Sequence, residues 1–356
     1  MAIEVNPMNN NNGAPRRLLL VSMPRTASNL LVKVLNIQNQ PQVLTNEKGG
    51  YFFYEPFMAV TEGGHVSKPL DQWAPATRKE IHAGFQKAVD ALEEFSAQAA
   101  RENKMLFAKE HAFWFFNPAS TEKMLTGSTN PDYFRQFSVS LPEEKYGPSA
   151  RTFSANNETV LPDEYLRTWQ MAFIIRHPAL AWPSMYRAMR KMAVAGWVDQ
   201  DAMKGVTDTN LSLRYSRMLY DWCLEQGDSL PSKPQVLDAY DVIHNPGTVV
   251  EFCRRTGLDP GVVQFEWEGA GEKNGGDGGG EAAKADKKEA IVGVMLSTLR
   301  QSTGVVKDMT PETVDIAAET EKWKAEFGED AARLLEKVVW ESMPDYEYLK
   351  ARRIQV

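Results

Sequence analysis

The sequence predicts an α/β fold, a mostly parallel sheet with helices on both faces. Three observations lead there. A continuous apolar run, Arg16–Met23, is followed by a tight turn and then by Leu30, Leu31, Val34 and Leu35 at helical spacing. Further apolar runs at Met105–Phe113, Gln170–His177 and Pro234–Ile243 read as strands, with helical patterns between them. Finally, the Gln170–His177 run passes straight into a helix-start signal, as does the opening one. Alternating strands and helices build a parallel sheet covered on both sides, and ligands on such a sheet sit beyond the carboxyl ends of its strands.

Taken in order, residues 1–15 are polar, with an Asn run at Asn9–Asn12, and read as a disordered lead-in; the α/β core is expected over 16–268. The first helix starts near Ser28. Thr77–Arg101 is amphipathic, with Ile81, Phe85, Val89, Leu92 and Phe95 on one face, and it feeds the second strand, Met105–Phe113. Residues 117–167 are rich in Pro, Ser, Asn and Thr and read as an insertion, either covering a site or running over the surface. The third strand, Gln170–His177, leads into a helix from Pro178 to about Val194; proline suits a helix start because its missing N–H would be unpaired there. A helix over Leu211–Gln226, the fourth strand Pro234–Ile243 and a helix from Pro246 to Thr256, stopped by Gly257, complete the core. Residues 269–288 are Gly-rich, charged and without aromatics, the composition of a flexible loop or linker. The C-terminal part, 289–356, is expected as helices Glu289–Arg300, Glu312–Phe327 and Asp330–Ser342, packing on the core.

The chain has 356 residues, of which 43% are hydrophobic and nine are Trp, enough to bury a large core in one α/β domain with insertions. A net charge of −7 argues against a nucleic-acid-coating surface, although a bound nucleotide needs only a local cluster of donors. The two cysteines, Cys223 and Cys253, form neither a CxxC pair nor a disulfide framework, which points to a reducing compartment. The histidines show no metal-ligand spacing, and no metal is expected. No run approaches the roughly 20 apolar residues of a membrane span, and the N-terminus lacks a secretory pattern. A cytoplasmic protein is expected, with neither membrane nor nucleic acid as partner and with a homodimer left open.

Three constellations carry chemistry. In Pro24-Arg25-Thr26-Ala27-Ser28-Asn29-Leu30, a strand-to-helix turn aims several backbone N–H groups at one spot, Arg25 adds a permanent charge, and Ser28 and Asn29 add donors. The glycines and lysine of a Walker A loop are absent, so the pattern does not support Mg-ATP hydrolysis. Read alone, the turn is equally a plain capped helix. In the second, Arg176 ends a strand and Ser184 lies two turns into the next helix, so both can face one ligand; alone they are a capping Arg and an ordinary helix Ser. The third is Lys109-Glu110-His111. Strand alternation puts Lys109 and His111 on one side and Glu110 on the other, giving a cation beside a titratable imidazole, which suits general-base chemistry. Alone they are a solvated Lys and a strand-end His.

In this order and at these strand ends, the three constellations resemble the cytosolic and bacterial sulfotransferases over about residues 16–190, plus the strand around Tyr240-Asp241. The resemblance implies a P-loop-like sulfotransferase fold and the donor 3′-phosphoadenosine 5′-phosphosulfate, with adenosine 3′,5′-bisphosphate as product. The family's first loop, P-[KR]-[ST]-G-[ST]-[TN], matches Arg25, Thr26, Ala27, Ser28 and Asn29, with Leu30 following, and grips the 5′-phosphosulfate. Its Lys-x-His matches Lys109 and His111, with His111 as general base. Its 3′-phosphate pair matches Arg176 and Ser184. The implied reaction is sulfuryl transfer to a hydroxyl or amine of a small molecule, with Arg25 and Lys109 offsetting developing charge. Departures from the pattern are Ala27 in place of the loop glycine, His177 where Asn or Asp is usual, and Arg300-Gln301-Ser302-Thr303-Gly304 as a faint counterpart of the C-terminal R-K-G-x-x-G.

The acceptor is expected to be hydrophobic. Aromatic clusters at Tyr51–Tyr54, Phe113–Phe116 and Met185-Tyr186 are candidate pocket walls, although each reads more readily as plain core. Glu55 is a candidate acceptor ligand or a structural carboxylate. Two other outcomes stay open: a scaffold that activates a hydroxyl for elimination or cyclisation, and a nucleotide-binding module without chemistry.

Overall fold

The computed structural model describes residues 16–268 and 289–356, apart from 63, 129 and 149–150. The expected lead-in, 1–15, and the Gly-rich segment, 269–288, lie outside the described residues. Among the described residues there are five strands, β1 (Arg17–Ser22), β2 (Val43–Leu44), β3 (Met105–His111), β4 (Gln170–Ile175) and β5 (Gln235–Asp238). They form one sheet in the order β2-β3-β1-β4-β5, every pair parallel.

All six residues of β1 are buried, as a central strand covered on both faces requires. Leu18 and Leu20 face one apolar cluster, closed by helices Ser28–Val34 and Pro246–Thr256 through Leu31, Val34, Val249 and Phe252. Leu19 and Val21 face the other, closed by helices Pro75–Arg101, Pro178–Val194 and Glu329–Lys350 through Phe85, Val89, Trp182 and Leu335. Full burial of each such side chain contributes roughly 1.5–3 kcal/mol, so alternation along one strand ties down both helical layers.

Several expected boundaries move, each for a local reason. The second expected strand stops at His111, and Ala112–Trp114 turns as a 3₁₀ helix, because β1 ends at Ser22 opposite His111 and offers no further partner. The third stops at Ile175, since His177 is already the cap of the next helix, its Nδ1 accepting from Ala179 N at 3.2 Å. The fourth is strand only to Asp238, whose carboxylate accepts from Tyr240 N at 2.9 Å and starts a helix over Ala239–His244. The stretch around Tyr240-Asp241 is therefore helical. β2, two residues long, has no apolar run to announce it. Among the described residues of 117–167 there are four short helices; two follow Asn-Pro pairs in which Asn117 and Asn130 cap the first turn. Helices Tyr54–Glu62 and Gln200–Asn210 were also not foreseen. The last helix runs past Ser342 and through Pro344 to Lys350, because Tyr346 and Leu349 are buried against the core.

Candidate active site

The site forms where β1, β3 and β4 end. After Ser22 the chain reverses through Pro24–Ala27, with Arg25 and Ala27 both at φ +68°. This left-handed region costs a non-glycine residue roughly 1–2 kcal/mol, which accounts for the glycine that the resembling family carries at the position of Ala27. Thr26, fully buried, holds the reversal by donating its hydroxyl to Met23 O at 2.7 Å. Helix Ser28–Val34 then begins without a side-chain cap, and the first N–H groups of a helix have no intrahelical partner. Ala27 and Leu30 turn their side chains to the apolar cluster, so only their backbone can serve a ligand.

Strand register places the second group. Leu20 pairs with Lys109 and Ser22 with His111. Lys109 and His111 share the face of Met105 and Phe107, toward helix Ser28–Val34, while Glu110 faces the opposite layer. Lys109, 1% exposed, donates to Asn29 Oδ1 and lies 4.2 Å from the Tyr51 ring centre. His111 Nδ1 is 2.9 Å from Ser22 Oγ, and its Nε2 is 3.2 Å from the Tyr51 hydroxyl. Ser22 Oγ also lies 3.2 Å from Glu110 O. Placing the Ser22 proton on that carbonyl leaves Nδ1 as donor to Ser22 and Nε2 as the open base, the tautomer that satisfies all three groups.

The third group gathers around Arg25. Its Nε donates to Ser184 Oγ at 2.9 Å, and its guanidinium also donates to Met295 O. Arg176 donates to Arg25 O at 3.3 Å, Met309 O at 2.8 Å and Thr310 Oγ1 at 3.2 Å, while its Nε is buried without a partner. The predicted residues therefore form two adjoining groups. One contains Ser28, Asn29, Lys109 and His111; the other contains Arg25, Arg176 and Ser184.

Burial sets the electrostatics. It lowers the Lys109 ammonium to about 7, with Glu110 opposing, and pushes the Glu110 carboxyl up to about 8 against the N–H groups of Phe52 and Phe53. Burial, then Lys109, hold His111 well below its ordinary value, so the imidazole is neutral at pH 7. Burial and the neighbouring Arg25 bring Arg176 to about 10, and burial and Arg187 lower Arg25. Among the described residues, none of Arg25, Lys109 and Arg176 is within ion-pair distance of a carboxylate. In the faint C-terminal counterpart, Ser302 O and Thr303 O accept from Trp267 and Gly304 bridges to Glu266, while the flanking Met295 O and Met309 O accept from Arg25 and Arg176.

A cavity of about 350 Å³ is walled by Phe57, Phe113, Trp114 and Phe116, with Lys68, Glu122, Lys204 and Asp208 also on its lining; His111 packs against Phe113 and Trp114 without lining it. Phe53 and Phe115 are core, Met185 is buried, and Tyr186 packs on Phe327. Glu55 is exposed and pairs with Lys48 at 3.2 Å. A larger cavity, about 630 Å³, lies among residues 119–158 and shares none of the site residues. Sequence reasoning missed Ser22 and knew Tyr51 only as one of four consecutive aromatics.

A parallel α/β sheet with a buried Lys109, two half-buried arginines and a neutral imidazole at its carboxyl edge is suited to an anionic ligand. The chain belongs to the sulfotransferase family. It is 33% identical to sulfotransferase ppzF of Metarhizium rileyi (strain RCEF 4871), over 96% of this chain and 97% of that protein. To sulfotransferase ppzF of Metarhizium majus (strain ARSEF 297) it is 32% identical, over 98% and 99%. No protein-family model matches the chain. Among solved structures, the sulfotransferase domain of the Synechococcus PCC 7002 olefin synthase is matched over 69% of this chain and 74% of its own, at 12% identity and TM-score 0.32. The sulfotransferase domain from the curacin biosynthetic pathway is matched over 88% and 97%, at 13% identity and TM-score 0.33. Among the described residues no helix is long and apolar enough to cross a membrane, and no cluster of potential metal ligands occurs.

Proposed function

We propose that this sulfotransferase transfers the sulfuryl group of 3′-phosphoadenosine 5′-phosphosulfate to a hydroxyl or amine of a small hydrophobic acceptor, with His111 as general base. The observation that carries the reading is the set of three basic groups, Arg25, Lys109 and Arg176, at the sheet edge with no carboxylate partner among the described residues. A charge drawn out of water without a counter-charge is costly, most of all at the fully buried Lys109, and an anionic ligand removes that cost. The orphaned Nε of Arg176 fits the same account, since a buried donor needs an acceptor.

In this reading Arg25, Ser28, Asn29 and the N–H groups of Ala27 and Leu30 hold the 5′-phosphosulfate, with Thr26 shaping the turn through Met23 O, and Arg176 with Ser184 holds the 3′-phosphate. The donor supplies an activated sulfuryl group; the chain supplies placement and charge. Lys109 and Arg25 offset the charge that grows as the group transfers, the kind of preorganised stabilisation that contributes most to such reactions. His111 Nε2, held unprotonated by the Nδ1 contact to Ser22, takes the acceptor proton. The Phe113-Trp114 cavity, two of whose wall residues pack against the His111 ring, takes the apolar body of the acceptor.

The test is calorimetric titration with adenosine 3′,5′-bisphosphate, with ATP as control. Micromolar binding of the bisphosphate in preference to ATP is the expected result; no binding, or preference for ATP, overturns the donor assignment.

A further inference from the structure

Tyr51 is carried into the centre of the site by backbone contacts on both sides of it. Lys109 N donates to Gly50 O at 2.9 Å, Asn46 Nδ2 donates to Tyr51 O at 2.7 Å, and the Phe52 and Phe53 N–H groups donate to Glu110 Oε1 at 2.5 and 3.1 Å. Gly50 has φ +96°, and a Cβ there would lie 2.8 Å from Lys109 N, so only glycine lets this segment approach β3 so closely. The ring packs on Trp114 at 4.8 Å and lies under the Lys109 ammonium. The hydroxyl is 3.2 Å from His111 Nε2, and the Lys109 ammonium over the ring donates to Asn29 Oδ1, which places Tyr51 beside the first turn of helix Ser28–Val34.

A nucleophile in sulfuryl transfer needs a base within hydrogen-bond reach and a place beside the donor's sulfur. The Tyr51 oxygen has the base. It also has the place if Ser28 and Asn29 hold the phosphosulfate, so the inference rests on the donor reading above. We propose that the Tyr51 hydroxyl occupies the acceptor position and, with donor bound and no small-molecule acceptor present, takes the sulfuryl group itself. The Tyr51 oxygen forms a bond to sulfur as the bond from sulfur to the bridging phosphate oxygen breaks. That bond's electron pair leaves with adenosine 3′,5′-bisphosphate, and the phenolic proton passes to His111 Nε2 and from there to water. Burial and Glu110 make this phenol less acid than an ordinary tyrosine, and because one hydroxyl is consumed the transfer is a single event for each chain. A small acceptor competes with it by displacing the hydroxyl from Nε2.

The test is peptide mass spectrometry of the full chain after incubation with 3′-phosphoadenosine 5′-phosphosulfate and no acceptor. The peptide containing Tyr51 gains one sulfuryl group, at most one per chain, with matching release of the bisphosphate. Tyr51→Phe loses the modification while still binding adenosine 3′,5′-bisphosphate, and His111→Ala loses it as well. A chain that binds the bisphosphate yet gains no mass at Tyr51, or gains it only at another residue, overturns the inference and leaves the proposed function intact. A chain that binds no bisphosphate overturns both.

Discussion

Replacing Lys109 with Met should stabilise the free protein and weaken its hold on anions, two effects of opposite sign from one side chain. The ammonium is 1% exposed, and burial brings it from 10.5 to about 7. At 1.36 kcal/mol per pH unit, that fall corresponds to an upper bound of about 5 kcal/mol against the charged form. Methionine keeps the length and apolar stem and removes the charge. Replacing a buried ionic group by an apolar one of similar shape typically gains about 1–4 kcal/mol, and the lost contacts to Asn29 and Tyr51 bring the expected gain to about 1–3 kcal/mol at pH 7. The pH dependence has a definite sign. A cation whose value is depressed on folding binds fewer protons in the native state between about 7 and 10.5, so its penalty is complete below that window and vanishes above it. Urea denaturation of parent and Lys109→Met across pH 6–10 should show a stability gap that is widest at low pH and closes toward the top of the range. Calorimetry should show weaker binding of adenosine 3′,5′-bisphosphate to the variant. A variant less stable than the parent at pH 7, or a gap that widens with pH, would refute the reasoning.

Other outcomes follow from the same geometry. Arg176→Ala removes a partly buried guanidinium held for an anion, and bisphosphate affinity measured by calorimetry should fall roughly 100-fold, about 3 kcal/mol. Glu110→Ala leaves the Phe52 and Phe53 N–H groups without their acceptor and should cost about 2–4 kcal/mol in urea denaturation, whereas Glu110→Gln keeps the acceptor. The parent's Glu110 carboxyl, raised from 4.5 to about 8, contributes a loss of stability as pH rises through that window, and Glu110→Gln should lack that loss. At Ala27, with φ +68°, glycine relieves strain but loosens the unfolded chain. Ala27→Gly should therefore shift stability by less than about 1 kcal/mol, while Ala27→Val destabilises by more than that, both read by thermal melting.

Much of the fold is legible in one dimension because its signals are local. The β1 run, the turn at Pro24–Ala27 and the helix from Ser28 follow from apolar periodicity and turn chemistry, and the helices at Pro178 and Pro246 from proline and capping rules. The errors fall where local signals end and pairing decides. Asp238 stops a strand by capping the next helix, and Phe113 leaves the sheet because β1 has already ended. Lys109 and His111 share a face by strand alternation alone, so that part of the candidate site was visible too.

What the sequence by itself determined about this sulfotransferase is its order of strands and helices, the composition of its first loop and the side-by-side placement of Lys109 and His111. Only the tertiary structure decided that Arg25 turns to Ser184 and Met295 O, with Arg176 donating to its backbone, while Lys109 turns to Asn29, dividing the cations into two groups. It alone brought the Tyr51 hydroxyl to His111, 60 residues away. That contact depends on Gly50 lying against β3 and on Glu110 holding the next two N–H groups. Such long-range contacts arise from how separate segments pack together, and neither the period nor the spacing of a single chain encodes them.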